Sequence, residues 1–367
     1  MKPQERLKLK ERLRLFRKRY RGSPDASKII SRLSRVILQL KYVKVRLTTR
    51  CNCNCQMCYW KVKDEQLDLA LVKKIIDQVA LLGVQTLNFT GGEPTIYPGF
   101  TEILRRAKKR GLRTTVSTNG FLSDKALKFL CANANAVDIS LDSYTPEMHD
   151  KIRGREGVFA AVLHSLLVLN KGKVPLYINV TVRPDNYRSI HRIIPLLSGL
   201  VKSVDFHLVD TSDNHLKYLE FDKKQLRDFY LNEVPLIIKE AIRHNIKYKI
   251  QPLIEQGKPL KNKRALQVIL EGSSYPRQLK SLLKADTAPC LLPHKTLRIN
   301  PDGEVSPCCT LDNVKGLLGN IHHQDFIDIV SSDKYFNFIQ KAKPAKGLCA
   351  QCGREYRNCF YGKTRYL

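Results

Sequence analysis

The chain has 367 residues, 43% of them hydrophobic, with 64 lysines and arginines against 34 acidic residues, a formal charge of +30. That length supports one large domain and a smaller one. No apolar run is long enough to cross a bilayer, and the charged stretch Met1–Arg21 lacks the apolar centre of a signal peptide, so a cytoplasmic protein with reduced thiols and no membrane span is expected.

Residues 1–40 read as a basic N-terminal extension. Lys2, Arg6, Lys8, Lys10, Arg12, Arg14, Arg17, Lys18, Arg19 and Arg21 crowd its first half, and Leu9, Leu13 and Phe16 make a thin apolar stripe on a helical register. Only Phe16 and Tyr20 interleave with the charges, which favours a frayed or surface-docked segment over a nucleic-acid reader. A charge this large suits anionic partners, or simply a solvated surface.

From Tyr42 short β-branched runs alternate with amphipathic segments, the pattern of parallel β-α units. Strands are predicted over Val43–Leu47, Thr86–Phe89, Arg113–Ser117, Val137–Leu141, Tyr177–Val182 and Val204–Val209. Between them, sets such as Leu71, Val72, Ile75, Ile76, Val79 and Leu82 recur at helical spacing, with Gly83 placed as a stop. Cys131 stands apart from the other cysteines on a predicted helix, as a small buried residue. Six units are too few for a closed eight-fold barrel. They predict an α/β fold, an open partial (β/α)6 TIM-like barrel over 41–244, with its chemistry at the C-terminal strand ends. A long helix, Asp222–His244, closes this part. Residues 245–286 read as a linker or bridge, and 287–367 as a small α+β cysteine-rich domain.

Cys51, Cys55 and Cys58 follow the first strand as C-x3-C-x2-C, and Thr90-Gly91-Gly92-Glu93-Pro94 follows the second. Three close thiols suit a four-iron cluster with one iron unligated, whereas a structural zinc site wants a fourth ligand nearby. Gly91 and Gly92 allow close backbone approach to a ligand, and Pro94 holds Glu93 extended. Cys53 adds a fourth thiol, expected to turn away as a bystander. Further along, Thr296–Val305 predicts a hairpin about Pro301-Asp302-Gly303 that brings Cys290 and Cys308 together. A predicted helix, Gln324–Lys341, then leads to Cys349-x-x-Cys352 and completes a four-cysteine set, whose spacing alone fits zinc as well as iron and sulfur.

These motifs resemble the radical SAM superfamily, and Cys290–Cys359 resembles its SPASM/twitch extension, through the C-x12-G-x4-C opening and Leu318-Gly319-Asn320-Ile321. The resemblance implies a SAM-binding 4Fe-4S cluster on Cys51, Cys55 and Cys58, and S-adenosyl-L-methionine at its open iron. It further implies one auxiliary 4Fe-4S cluster on Cys290, Cys308, Cys349 and Cys352, leaving Cys359 as a substitute or spare. By the same resemblance Met57 lies near the adenine, where the family often has an aromatic residue, and Gly91, Gly92 and Glu93 receive the methionine amino group. Asn119 falls in the polar end of the third strand, Ser140 meets the ribose and Arg153 the methionine carboxylate. The implied activity is reductive cleavage to a 5′-deoxyadenosyl radical that abstracts hydrogen from a substrate, a sugar-like alcohol or a peptide, and the chain's basic charge suits an anionic one. The auxiliary cluster then accepts the electron left on the product, and a donor such as flavodoxin or ferredoxin supplies the first one. Asn179, Thr181, His207 and Asp210 are candidates to face substrate. Epimerisation, with Cys309 as a thiol hydrogen donor, and peptide maturation are enzymatic alternatives. An electron carrier leaves the glycine turn unexplained, and a basic zinc-bearing nucleic-acid-binding protein leaves the first cysteine group unexplained.

Overall fold

Alternation of apolar and polar residues sorts each strand of the chain onto two faces. The computed structural model describes residues 3–58, 64–211, 213–250, 254–255, 258–259, 292–308, 311 and 316–342. Its strands are β1 (Tyr42–Arg46), β2 (Thr86–Thr90), β3 (Arg113–Thr118), β4 (Ala136–Ser140), β5 (Leu176–Val182), β6 (Ser203–Leu208), β7 (Lys247–Ile250), β8 (Ile254–Glu255), β9 (Lys258–Pro259), β10 (Thr296–Ile299), β11 (Glu304–Ser306) and β12 (Gly319–Asn320). They form one sheet in the order β12-β11-β10-β1-β2-β3-β4-β5-β6-β7-β8-β9. Strands β1 to β7 are parallel, and β10 joins β1 in parallel with Tyr42 opposite Thr296. Among the described residues no pairing closes the sheet, so the partial barrel expected from the sequence is what forms.

One face of the sheet carries Val43, Val45, Leu87, Phe89, Ile139, Ile178, Val180 and Phe206, all fully buried in a single core shared with the helices. These helices are α1 (Pro3–Arg19), α2 (Ala26–Gln39), α3 (Leu69–Leu81), α4 (Phe100–Lys109), α5 (Asp124–Asn133), α6 (Pro146–Arg153) and α7 (Val158–Lys171), followed by further helical pieces. The Asp68 carboxylate caps α3, accepting from the Ala70 and Leu71 amides, and Gly83, at φ 77°, ends it in the left-handed region. The alternate face is polar: Asn88 donates to Thr115 and Ser117, and Ser117 in turn to Asp138. Tyr42, Ala136 and Tyr177 form a small apolar floor beneath it.

Three elements differ from their sequence reading. A seventh parallel strand, β7, begins inside the stretch read as a bridge; four residues of mixed lysine and apolar character give too short a pattern to stand out. The helix expected over Asp222–His244 contains a π-helical turn at Phe229–Glu233, just where Pro235 has no amide to give to the preceding turn. The helix expected over Gln324–Lys341 breaks at Ser332, whose side chain caps the second piece through the Tyr335 amide.

The basic extension is docked and helical. Phe16 on α1, Leu33 on α2 and Leu40 just after it are fully buried. Arg19 pairs with Asp325 at 2.6 Å, and Arg32 with Asp333 at 2.5 Å. Partly exposed pairs of this kind contribute about 0–1 kcal/mol each, against roughly 1.5–3 kcal/mol for a buried phenylalanine, so the apolar stripe anchors the segment and the ion pairs set its orientation.

Candidate functional site

The glycine turn after β2 is welded to the root of the cysteine loop. The Gly92 amide donates to the Thr48 carbonyl at 2.6 Å, and the Glu93 amide to the Arg50 carbonyl at 2.9 Å. A Cβ on Gly91 would lie 2.4 Å from the Thr48 carbonyl oxygen, and one on Gly92 2.1 Å from that of Arg50; Gly91 also sits at φ 142°. The close approach that requires glycine is therefore made first to the chain's own backbone, immediately before Cys51. Both glycines still line the cavity described below. Glu93 does not. Its fully buried carboxylate accepts from the Thr95 hydroxyl at 2.7 Å, the Thr118 hydroxyl at 2.8 Å and the Asn119 amide at 2.9 Å. Glu93 thereby ties the glycine turn to the end of β3.

Helix α6 clamps the other side of the loop. The Asn54 and Gln56 amides donate to the Arg153 and Ile152 carbonyls at 3.0 Å, so the loop satisfies carbonyls that a helix end leaves open. Gly154 makes this possible, since a Cβ there would lie 2.1 Å from the Asn54 carbonyl oxygen. Arg155 donates to the Asn52 carbonyl at 2.6 Å, and the Asn119 side chain to that of Asn52, also at 2.6 Å. These clamps escaped the sequence reading; the helix-ending Arg153-Gly154 was their only trace.

The result is a cavity of about 560 Å³ at the C-terminal strand ends, lined by Cys51, Cys53, Cys55, Met57, Cys58, Gly91, Gly92, Asn119, Ser140 and Arg153, with Ser117, Asp138 and Asn179 below. Asn119 donates to the Cys51 sulfur at 3.6 Å and Arg153 to that of Cys55 at 3.7 Å. Cys53 does not turn away as expected: it lines the same cavity, and its amide donates to the Cys51 sulfur at 3.4 Å. Its thiol also hydrogen-bonds Cys51, which outweighs burial and lowers the Cys51 pKa to about 7, while the Cys53 pKa rises. Among the described residues no three His, Cys, Asp or Glu side chains converge on one metal ion. A cubane does not ask for that, because each thiolate binds a different iron.

Arg153 is buried and meets the Asp142 carboxylate at 2.6 Å, while the other Asp142 oxygen accepts from the Thr181 amide at 2.8 Å. Burial opposes the charged guanidinium, but Asp142 and the Cys55 thiol outweigh it and hold the Arg153 pKa above its ordinary value. Its buried Nε has no hydrogen-bond partner among the described residues. Of the substrate-facing candidates, Asn179 lines the cavity and Thr181 serves Asp142 through its backbone; His207 and Asp210 are not among the residues that line it. Cys308 is buried beside Leu311 and Ala342, whereas Cys290, Cys309, Cys349, Cys352 and Cys359 lie outside the described residues.

Beneath Arg153 lies a buried histidine, His149, whose Nδ1 accepts from the Asp142 amide at 3.1 Å. Burial, reinforced by Arg153, pulls its pKa from 6.5 down to about 3. The unfolded chain takes up this proton first, so the stabilisation is complete above pH 6.5 and is lost as pH falls toward the folded value. Between pH 7 and pH 5 this one group should remove about 2 kcal/mol. Urea unfolding of the cluster-free protein at the two pH values measures it, and His149→Asn should flatten the difference.

The donor set fits an iron–sulfur cluster with a chelating amino acid: thiols on one short loop, N–H groups aimed at two of the sulfurs, and a buried guanidinium with an orphaned donor. A partial barrel that gathers these groups at its mouth belongs to the iron–sulfur enzymes. The radical SAM superfamily model matches residues 45–197, and the SPASM iron-sulfur cluster-binding domain matches 290–353. The chain belongs to the radical SAM superfamily and carries a SPASM domain. It is an enzyme whose cofactors are a 4Fe-4S cluster, S-adenosylmethionine and the iron–sulfur centre of that domain. It is 28% identical over 331 residues to AdoMet-dependent heme synthase of Methanosarcina barkeri, covering 86% of this chain and 88% of that one. It is also 28% identical over 318 residues to the antilisterial bacteriocin subtilosin biosynthesis protein AlbA of Bacillus subtilis, covering 81% of this chain and 61% of AlbA. The fold matches Streptococcus suis SuiB bound to S-adenosylmethionine with a TM-score of 0.65 at 16% identity, over 86% of this chain and 72% of SuiB. No described helix is long and apolar enough to cross a membrane.

Proposed function

We propose that Cys51, Cys55 and Cys58 hold the first cluster and that S-adenosylmethionine fills the cavity, with Arg153 and the Gly91-Gly92 turn gripping its methionine end. Asn119 and Ser140 face the ribose, and Met57 borders the adenine. When bound, the reduced cluster and S-adenosylmethionine supply the 5′-deoxyadenosyl radical that removes hydrogen from substrate. Around them the chain's own residues orient the cofactor and exclude water, while Asp138 and Asn179 mark where substrate enters from the polar face. Cys290, Cys308, Cys349 and Cys352 would hold a single auxiliary cluster, which would supply an acceptor for the electron left on the product. A low-potential donor such as flavodoxin or ferredoxin serves the first cluster in the cytoplasm.

The observation that carries this reading is the buried Arg153, paired with Asp142 and reaching both the Cys55 sulfur and the cavity. The reaction is an oxidation or related modification of a polar substrate. The likeness to AlbA favours a peptide, and the likeness to heme synthase, which spans nearly all of both chains, adds a tetrapyrrole to those worth assaying. Anaerobic incubation of the iron-loaded protein with S-adenosylmethionine and dithionite should yield 5′-deoxyadenosine and methionine. Absence of 5′-deoxyadenosine from protein with a full iron complement would refute the reading.

A further inference from the structure

We infer that Arg183 is a positioning residue for the cofactor: its guanidinium holds Gln56 and Met57 in the conformation that receives the adenine. The inference rests on the proposal that Met57 borders that ring.

Arg183 directly follows β5 and its side chain is 1% exposed. Burying a guanidinium is costly unless its donors are used. Here one edge is taken by Asp185, with Nε at 2.9 Å and Nη2 at 2.8 Å from its carboxylate. The remaining donors turn inward. Nη2 donates to Gln56 Oε1 at 2.8 Å, and Nη1 lies 3.9 Å from the Met57 sulfur. The backbone of Arg183 is fixed as well: its amide donates to Asn186 Oδ1 at 2.7 Å, while Asn186 Nδ2 donates to the Thr181 and Asp142 carbonyls at 2.8 and 2.9 Å. Asn186 therefore joins the Arg183 turn to the strand end that pairs with Arg153.

Gln56 is gripped from two further directions, by the Ile152 carbonyl on its amide at 3.0 Å and the Tyr218 hydroxyl on its carbonyl at 3.1 Å. Met57 packs onto the cluster of Val209, Leu216 and Leu219 that follows β6. The residue just before Cys58 is thus set by the loops after two neighbouring strands, the place where barrels of this kind bind substrate. The contacts from Arg183, Tyr218 and the Val209 cluster are not needed to close the cysteine loop, which α6, through Ile152 and Arg153, and the glycine turn already hold. Their evident effect is to fix the wall of the cavity that Met57 forms.

The test uses the full-length, iron-loaded protein, titrated with S-adenosylmethionine while the electron paramagnetic resonance signal of the reduced cluster is followed. Arg183→Lys, which keeps the charge but loses the fork, and Gln56→Met, which removes the acceptor, should each weaken S-adenosylmethionine binding roughly tenfold, the size of one charge-assisted hydrogen bond. Iron and sulfide content should stay at the wild-type level, KM for S-adenosylmethionine should rise more than kcat falls, and the double variant should be no worse than either single one, because both remove the same contact. Affinities within about twofold of wild type, or losses that add, overturn the assignment. Iron lost in step with affinity overturns it too, since Arg183 would then merely support the loop. A wild-type protein whose signal ignores S-adenosylmethionine defeats the cavity reading and this inference together, whereas responsive wild type with unaffected variants defeats only the inference.

Discussion

Alanine at Cys51, Cys55 or Cys58 should abolish 5′-deoxyadenosine formation and strip the first cluster, while Cys53→Ala should keep both within about twofold of wild type, as expected of a thiol outside the ligand set. The prediction is sharp because the structure brings all four sulfurs to one cavity. What separates them is their surroundings. Cys51 accepts from Asn119 and from the Cys53 amide, Cys55 accepts from Arg153, and Cys58 closes a turn onto the Cys55 carbonyl at 3.2 Å. Donors aimed at sulfur stabilise thiolates, the form that binds iron. Cys53 has the opposite character: its thiol gives a hydrogen bond to Cys51 and its pKa is pushed up, first by that bond and then by burial. It also packs partly against the main core. Iron and sulfide analysis of the four alanine variants, run beside the 5′-deoxyadenosine assay, decides the matter. Loss of iron from Cys53→Ala equal to that from Cys55→Ala would mean that ligand exchange within the loop is open and that the C-x3-C-x2-C assignment is incomplete.

The strands and the mouth of the barrel were legible because their signals are local. Short β-branched runs marked β1 to β6 to within a residue or so, and a three-cysteine cluster and a glycine pair that each follow such a run need no tertiary knowledge to be noticed. The stripe Leu9, Leu13 and Phe16 left a frayed or a surface-docked segment open, and the fully buried Phe16 shows that it docks. The contacts that support the site were not legible, since each joins positions far apart in the chain. Arg183 reaches Gln56 across 127 positions, and Arg46 reaches Asn300 across 254. A buried arginine looks like any surface arginine until its partners are known, in a chain with 64 lysines and arginines most of all. The glycine turn shows a subtler limit. Its residues pointed correctly to a close backbone approach, yet the first backbone approached is that of Thr48 and Arg50, and Glu93 faces the interior of the protein. Local patterns reported that space was tight without saying what occupied it.

Arg153→Met should separate two jobs that this side chain performs at once. It leaves the Asp142 carboxylate buried with no cation beside it, and losing one partner of a buried pair costs about 3–5 kcal/mol. Burial alone pushes the Asp142 pKa up, and Arg153 is the strongest influence opposing that rise. The variant should therefore unfold at markedly lower urea concentration and bind S-adenosylmethionine poorly. Adding Asp142→Asn removes the stranded charge while keeping an oxygen for the Thr181 amide, so most of the stability should return. S-adenosylmethionine binding should not return, because the neutral pair offers no cation to a carboxylate; a deficit of roughly ten- to a hundredfold is the expected size for one charge-assisted contact. Urea unfolding and cofactor titration of the single and double variants measure the two effects independently. If affinity recovers together with stability, Arg153 acts only by holding Asp142 and the end of α6 in place, and the grip on the methionine end must come from the glycine turn alone.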